Sequence, residues 1–157
     1  MEEKENEKEI NINNFFLISS QVYSGFFKDL FKNCINKIII KNEKDDDPCY
    51  IFINIIFDKN TANYFNIVHG GSIALLFENI IHMILFYLTK NIYNTKDINI
   101  IYKRQILLNI EYTLKIKIEK IKYKTLFIHC NLYKTNLINE ETAEANIIIE
   151  KEIINKI

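Results

Sequence analysis

Glu78 stands nine residues after His69 and eight after Gly70, inside the most apolar run of a 157-residue chain. From Ile73 to Leu88 nearly every position is apolar around the whole 3.6-residue period, so a helix there has no solvent face and must be wrapped by other elements. Glu78, Asn79 and His82 interrupt that run. An ionised carboxylate in an apolar interior is costly unless it is paired, hydrogen-bonded or open to a cleft. Glu78 is therefore either an acid–base group or a structural carboxylate satisfied by backbone or by His82. Glu78 and His82 also share a helical face at i and i+4, the spacing of a metal pair, but no third ligand is evident and no metal is expected.

Other constellations are weaker. His129 beside Cys130 has the composition of a thiol dyad, yet neighbours in a strand point to opposite faces. Asp45, Asp46 and Asp47 precede the only proline, Pro48, and read as a solvated turn rather than a cation site. Cys34, Cys49 and Cys130 are odd in number and lack metal-ligand spacing, and the N-terminus lacks the apolar core of a signal peptide. Reduced thiols and a cytoplasmic setting are expected.

Twenty basic and twenty acidic residues cancel, which leaves no electrostatic footprint for nucleic acid or an anionic membrane. The apolar run falls short of the roughly 20 residues of a spanning helix and carries polar groups, so no membrane span is expected. Residues 1–14 are charged and read as a disordered tail, with one domain over 15–157.

Within that domain, Ser19 or Ser20 could cap a helix carrying Val22, Phe26 and Leu30, with Gly25 inside it at a cost of about 1 kcal/mol. Ile38–Ile40 and Tyr50–Phe57 read as strands, and Ile98, Ile100 and Tyr102 begin another after the central helix. Ile110, Tyr112, Leu114, Ile116 and Ile118 alternate with polar residues, the period of a strand with one wet face. Leu126–Lys134 and Ala145–Ile149 follow turns at Lys122–Lys124 and Asn136–Glu140. The order predicts an α+β fold: a curved antiparallel sheet of about six strands, the last four a meander, rolled around one long helix.

Residues 63–79 resemble the hotdog-fold acyl-CoA thioesterases of the phenylacetate-pathway and thioesterase-superfamily-member-2 type. That signature is His-Gly-Gly followed by a helix with a carboxylate nine residues after the histidine, here His69-Gly70-Gly71 and Glu78. Asn63 stands where the family has an asparagine. Asp97–Tyr102 resembles the strand after the family's helix, with Thr95 at the place of a serine.

The resemblance implies hydrolysis of acyl-CoA to free acid and coenzyme A, with no cofactor. Thioester hydrolysis needs a positioned water, a base and donors aimed at the oxygen that becomes negative. By family precedent the Gly70 amide, at the helix N-terminus, polarises the carbonyl, and Glu78 is general base or nucleophile. Thr95 holds the water, Asn63 orients water or thioester, and His69 contacts substrate or stabilises its loop. Gly71 allows close approach and unusual backbone angles, as does Gly70. Lys103 and Arg104 either bind the coenzyme A phosphates or form a solvated strand end.

Gly70 and Glu78 are separated by roughly 12 Å of helix, at about 1.5 Å per residue. One reacting carbon cannot touch both in one chain, so an obligate homodimer is expected, with a dimer of dimers (homotetramer) as a further step. Glutamate in place of the family's commoner aspartate alters the attack geometry, and Tyr102-Lys103-Arg104 lacks the family's proline. The alternative reading is a non-catalytic acyl-CoA-binding protein of the same fold. A hydratase lacks its proline-rich histidine motif here. Phe77, Met83, Phe86 and Tyr87 line an acyl tunnel or are plain core.

Overall fold

A computed structural model describes residues 6–19, 25–42, 49–122 and 124–152. Helix α3 (Gly70–Thr89) is the element the others wrap. Ile73, Leu76, Phe77, Ile80, Ile81, Met83, Ile84 and Leu85 are buried along it, as its predominantly apolar character requires. Lys90 ends it in the left-handed region at φ 57°. By length and composition α3 could cross a membrane, more than the apolar run alone suggests, but half of it is enclosed by the rest of the fold. Phe77 and Met83 belong to that packed core.

The sheet is antiparallel throughout and has seven strands: β1 (Asn6–Glu9), β2 (Ile35–Asn42), β3 (Cys49–Ile56), β4 (Tyr93–Tyr102), β5 (Glu111–Lys122), β6 (Thr125–Lys134) and β7 (Glu141–Lys151). Their spatial order is β1-β2-β3-β5-β6-β7-β4. Alternate residues such as Ile51, Ile53, Leu114, Ile116, Ile128, Leu132, Ala145 and Ile147 are buried and join α3 in one core. The two-residue period read from Ile110 onward is thus the period of the burial.

Two expectations need correction. The last four strands are not one meander, because only β5, β6 and β7 follow one another, while β4 crosses to the far side of β7 and β5 pairs with β3. The 20-residue helix delivers the chain to β4 on the far side of β7, and residues 103–110 then return it to β5 beside β3, so β4 and β5 are neighbours in sequence but not in the sheet.

The charged segment expected as a tail over 1–14 is, from residue 6 onward, structured. β1 pairs with β2, where Glu9 meets Lys37 at 3.6 Å and Glu7 meets Lys41. Exposed ion pairs of this kind contribute at most about 1 kcal/mol each, and burial of Ile10 adds the apolar anchor. Its residues 1–5 lie outside the described residues.

Of the helix expected after Ser19 or Ser20, the described part is α2 (Gly25–Phe31), and a helix not expected from the sequence, α1 (Ile12–Ser19), precedes it. Val22 and the turn Asp45–Pro48 lie outside the described residues, as does Tyr123 between β5 and β6. α1 docks on α3: the Ser19 hydroxyl donates to the Met83 carbonyl at 3.3 Å, and the Phe15 ring lies 5.7 Å from that of Tyr87. Phe15, Phe16, Phe27 and Phe31 are buried beneath these two short helices.

β4 is the strand that positions chemistry. Its pairing with β7 shifts register between Thr95 and Asp97, so Thr95 opposes Ile149 while Ile98, Ile100 and Tyr102 oppose Ile147, Ala145 and Ala143. Strict alternation would send Thr95 and Ile98 to opposite faces. Across the bulge at Lys96, Thr95, whose hydroxyl meets His82 of α3, and Ile98, exposed at the sheet edge, both oppose buried residues of β7, a local re-phasing that bulges commonly perform.

Candidate active site

His69 caps the N-terminus of α3. Its backbone is extended (φ −69°, ψ 135°), and its Nδ1 accepts a hydrogen bond from the Gly71 N–H at 2.9 Å. The proton of a neutral ring therefore resides on Nε2, and the cap satisfies one of the four amides a helix start leaves unpaired. Among the described residues the Gly70 N–H makes no hydrogen bond, which leaves it available at the positive end of the helix dipole.

Neither glycine has a positive φ, so the expected need for unusual backbone angles is corrected. Space decides instead. A Cβ on Gly71 would lie 2.9 Å from His69 Nδ1, whereas one on Gly70 would meet the Tyr102 ring at an ordinary 3.7 Å. Gly71→Ala should therefore displace the His69 cap and lower stability by about 1 kcal/mol in urea unfolding, while Gly70→Ala leaves the midpoint unchanged.

Asn63 holds the loop entering the helix. Its Oδ1 accepts from Phe65 N–H at 2.9 Å and Ile67 N–H at 3.4 Å, and its own N–H donates to the Ile67 carbonyl at 2.8 Å. Asn66 closes that turn at φ 57°, a conformation asparagine tolerates. The side-chain Nδ2 of Asn63 is left for other partners.

A cleft of about 480 Å³ joins these parts: Asn63, Gly70, Tyr102, Lys103, Arg104 and Ile106 are among its lining. The Tyr102 hydroxyl donates to the Gly70 carbonyl at 2.9 Å and fixes the helix start to β4. Sequence reading treated Tyr102 only as a strand residue. Lys103 is less available than expected, because its ammonium is held by Glu141 and by Glu144 at 2.6 Å. Those contacts raise the Lys103 pKa. Burial acts to raise the Glu141 carboxyl, but hydrogen bonds from Lys103 and Asn131 hold it below the usual carboxylate range. Arg104 lines the same cleft with no ion pair among the described residues.

Glu78 and Thr95 are absent from that cleft's lining. Glu78 is half-buried two turns along α3, on a partly open stripe with Ala74, Leu75 and Asn79. His82 lies one further turn on, buried, and its Nε2 is 2.8 Å from the Thr95 hydroxyl. Burial lowers the His82 pKa, and the negative charge of Glu78 partly opposes that effect. The predicted residues Asn63, Gly70, Lys103 and Arg104 thus share one cleft, while Glu78 and Thr95 are related only through His82. The His82–Thr95 contact joins α3 to β4, a pairing that spacing along either element could not reveal.

No three His, Cys, Asp or Glu side chains converge on a possible metal site among the described residues. His129 and Cys130 face opposite ways, as their adjacency requires: Cys130 is buried, while His129 Nδ1 lies 2.7 Å from Asn146 Oδ1. Burial raises the Cys130 thiol pKa and pushes that of Cys34 up to about 11, so neither is a ready thiolate at neutral pH.

No family model matches the sequence, and no curated protein matches it. Solved structures do match in shape. Thioesterase superfamily member 2 of zebrafish superposes with a TM-score of 0.65 at 14% identity, covering 90% of this chain and 98% of the other. The mouse protein of the same name gives 0.64 at 17% identity, covering 89% and 96%. A hypothetical thioesterase from Streptococcus pneumoniae, solved with coenzyme A, gives 0.59 at 18% identity over 73% of this chain and 87% of that one. A seven-stranded antiparallel sheet around one long helix, in a shape shared with these thioesterases, gives the chain the hotdog fold.

Proposed function

We propose that the protein hydrolyses acyl-CoA thioesters at a site built from two copies of the chain. The observation that carries this reading is the division of the site. Gly70 and Asn63 open on one cleft, while Glu78 lies outside it on a half-open stripe of the same helix. β4, beside that stripe, pairs with β7 on one side and, among the described residues, with no strand on the other. Ile98, Ile101 and Tyr102 are exposed along it, and Tyr64 and Phe65 are exposed in the loop before α3. Edge-to-edge pairing of two β4 strands about a twofold axis would cover these residues and set Glu78 of one protomer toward Gly70 of its partner.

In that arrangement the Gly70 amide and the helix dipole stabilise the oxyanion, and Glu78 takes a proton from the attacking water or attacks directly. Thr95 holds the water, and Asn63 Nδ2 donates to the thioester or to that water. A relative of similar fold has been solved with coenzyme A, which supports this substrate class. Arg104, rather than the ion-paired Lys103, is the cation for the nucleotide phosphates. Arg104→Ala should raise KM for acyl-CoA about tenfold, the loss of one charge-assisted contact, and leave KM unchanged for acyl-pantetheine substrates. Lys103→Ala should change KM less than threefold with either substrate.

An acyl-CoA panel assayed for released thiol tests the function. Turnover with at least one acyl group, removed by Glu78→Gln in a protein of unchanged mass, supports hydrolysis. Tight acyl-CoA binding without turnover would instead support a binding protein of the same fold.

A further inference from the structure

Three polar side chains follow one another beneath the half-open stripe of α3: Glu78, His82 one turn later, and Thr95 from β4, whose hydroxyl is 2.8 Å from His82 Nε2. A histidine buried among Ile81, Met83 and Leu85 is expensive to place without polar partners, and a leucine there would fill the core more cheaply. Thr95 is in phase with the buried Tyr93 and opposes the buried Ile149, and the bulge at Lys96 breaks the strand phase immediately after it. Two departures from a plain core, a buried imidazole and a broken strand phase, thus converge on one hydroxyl.

We infer that His82 is a positioning residue for the hydrolytic water: its Nε2 accepts the Thr95 hydroxyl proton and so turns the Thr95 oxygen lone pairs toward the water beside Glu78. This rests on the thioesterase reading above. A hydroxyl has one proton and two lone pairs. If it donates to His82, its oxygen can accept one hydrogen of the water while Glu78 receives the other. If His82 were protonated, or neutral with its proton on Nε2, Nε2–H would donate, the Thr95 hydroxyl would be free to rotate, and the water would lose its second anchor.

The surroundings favour the neutral ring. Burial lowers the His82 pKa, and Glu78 is the charged group whose field reaches it. On β4, Lys96 and Asp97 are exposed, and Lys96 is paired with Glu150 at 3.0 Å. α1 carries no charged residue, and on α2 the exposed Asp29 pairs with Lys32 at 3.6 Å, leaving the half-buried Lys28 as that helix's remaining charge. The neutral state is therefore retained below the pH at which a free histidine titrates.

The test combines kinetics and NMR on the intact protein. His82→Leu should lower kcat about tenfold or more with KM within twofold, His82→Gln should recover most of that loss through its amide oxygen, and His82→Leu added to Thr95→Val should cost nothing further. The acidic limb of the wild-type kcat profile should include a step that disappears in His82→Gln. Nitrogen-15 shifts of the wild-type ring should show Nε2 unprotonated, and Thr95→Val should move that resonance. An unchanged kcat and pH profile in His82→Leu beside an active wild type overturns the assignment and leaves the thioesterase reading standing. An Nε2–H tautomer overturns it whether or not the wild type turns over, whereas a wild type inactive on every acyl-CoA overturns the thioesterase reading.

Discussion

Co-expressed Glu78→Gln and Gly70→Pro chains should recover about one quarter of wild-type turnover, although each variant alone is nearly inactive. Glutamine cannot accept the water proton or act as a nucleophile, so Glu78→Gln should lower kcat about 10³-fold. Gly70→Pro removes a single N–H at the first position of a helix, where proline is well tolerated. His69, at φ −69° and ψ 135°, already has the extended backbone that a residue before proline prefers. A Cβ at residue 70 has ordinary room, so the substitution is aimed at the donor, and its loss should lower kcat by 10²–10³-fold, roughly that of one oxyanion donor.

In a mixed dimer, one of the two shared sites combines the intact Glu78 of one chain with the intact Gly70 of the other. Random pairing makes about half of all dimers mixed, each with one working site in two, which yields the quarter. Tandem-tag purification of the mixed dimer should enrich the activity about twofold. A purified mixed dimer no more active than its parents would place the whole site within one chain and refute the two-chain arrangement.

Ile98→Asp should produce a monomer with native-like circular dichroism and a turnover at least about 100-fold below wild type. The two edges of the sheet differ in kind. β1 carries exposed Glu7, Lys8 and Glu9, charges that discourage pairing with another strand. β4 instead exposes Ile98 at 36%, Ile101 at 45% and Tyr102 at 52%, the pattern of an edge meant to be covered. A carboxylate at Ile98 would be desolvated in any β4–β4 interface but remains wet in the monomer, so association should suffer far more than folding. Light scattering reads the mass and thiol release the activity. A dimeric, active Ile98→Asp protein would show that β4 is not the seam.

The sequence was most informative where one physical constraint acted alone. An apolar run without a wet face, followed by strict two-residue alternation, can be satisfied only by a helix inside a sheet, and both elements appear. Composition misled at residues 6–14, where charge suggested a tail. Cross-strand partners on β2 and a buried Ile10 were not visible locally, because they come from residues some thirty positions away. The meander was misplaced for a related reason: a short link between β4 and β5 does not reveal that residues 103–110 carry the chain from the edge of the sheet back to its middle.

At the site, residue types and spacing alone were enough to single out the paired glycines and an acid that had to be explained, since a carboxylate in such a run has few places to be. Tertiary structure decided what each residue can reach. It gave His69 to the helix cap, occupied Lys103 with two carboxylates, separated Glu78 from the Gly70 cleft, and brought Thr95 to His82 beside a one-residue bulge. Periodicity reports which face a residue prefers, but a bulge changes the phase of that period, and only the pairing of β4 with β7 fixes where the change occurs.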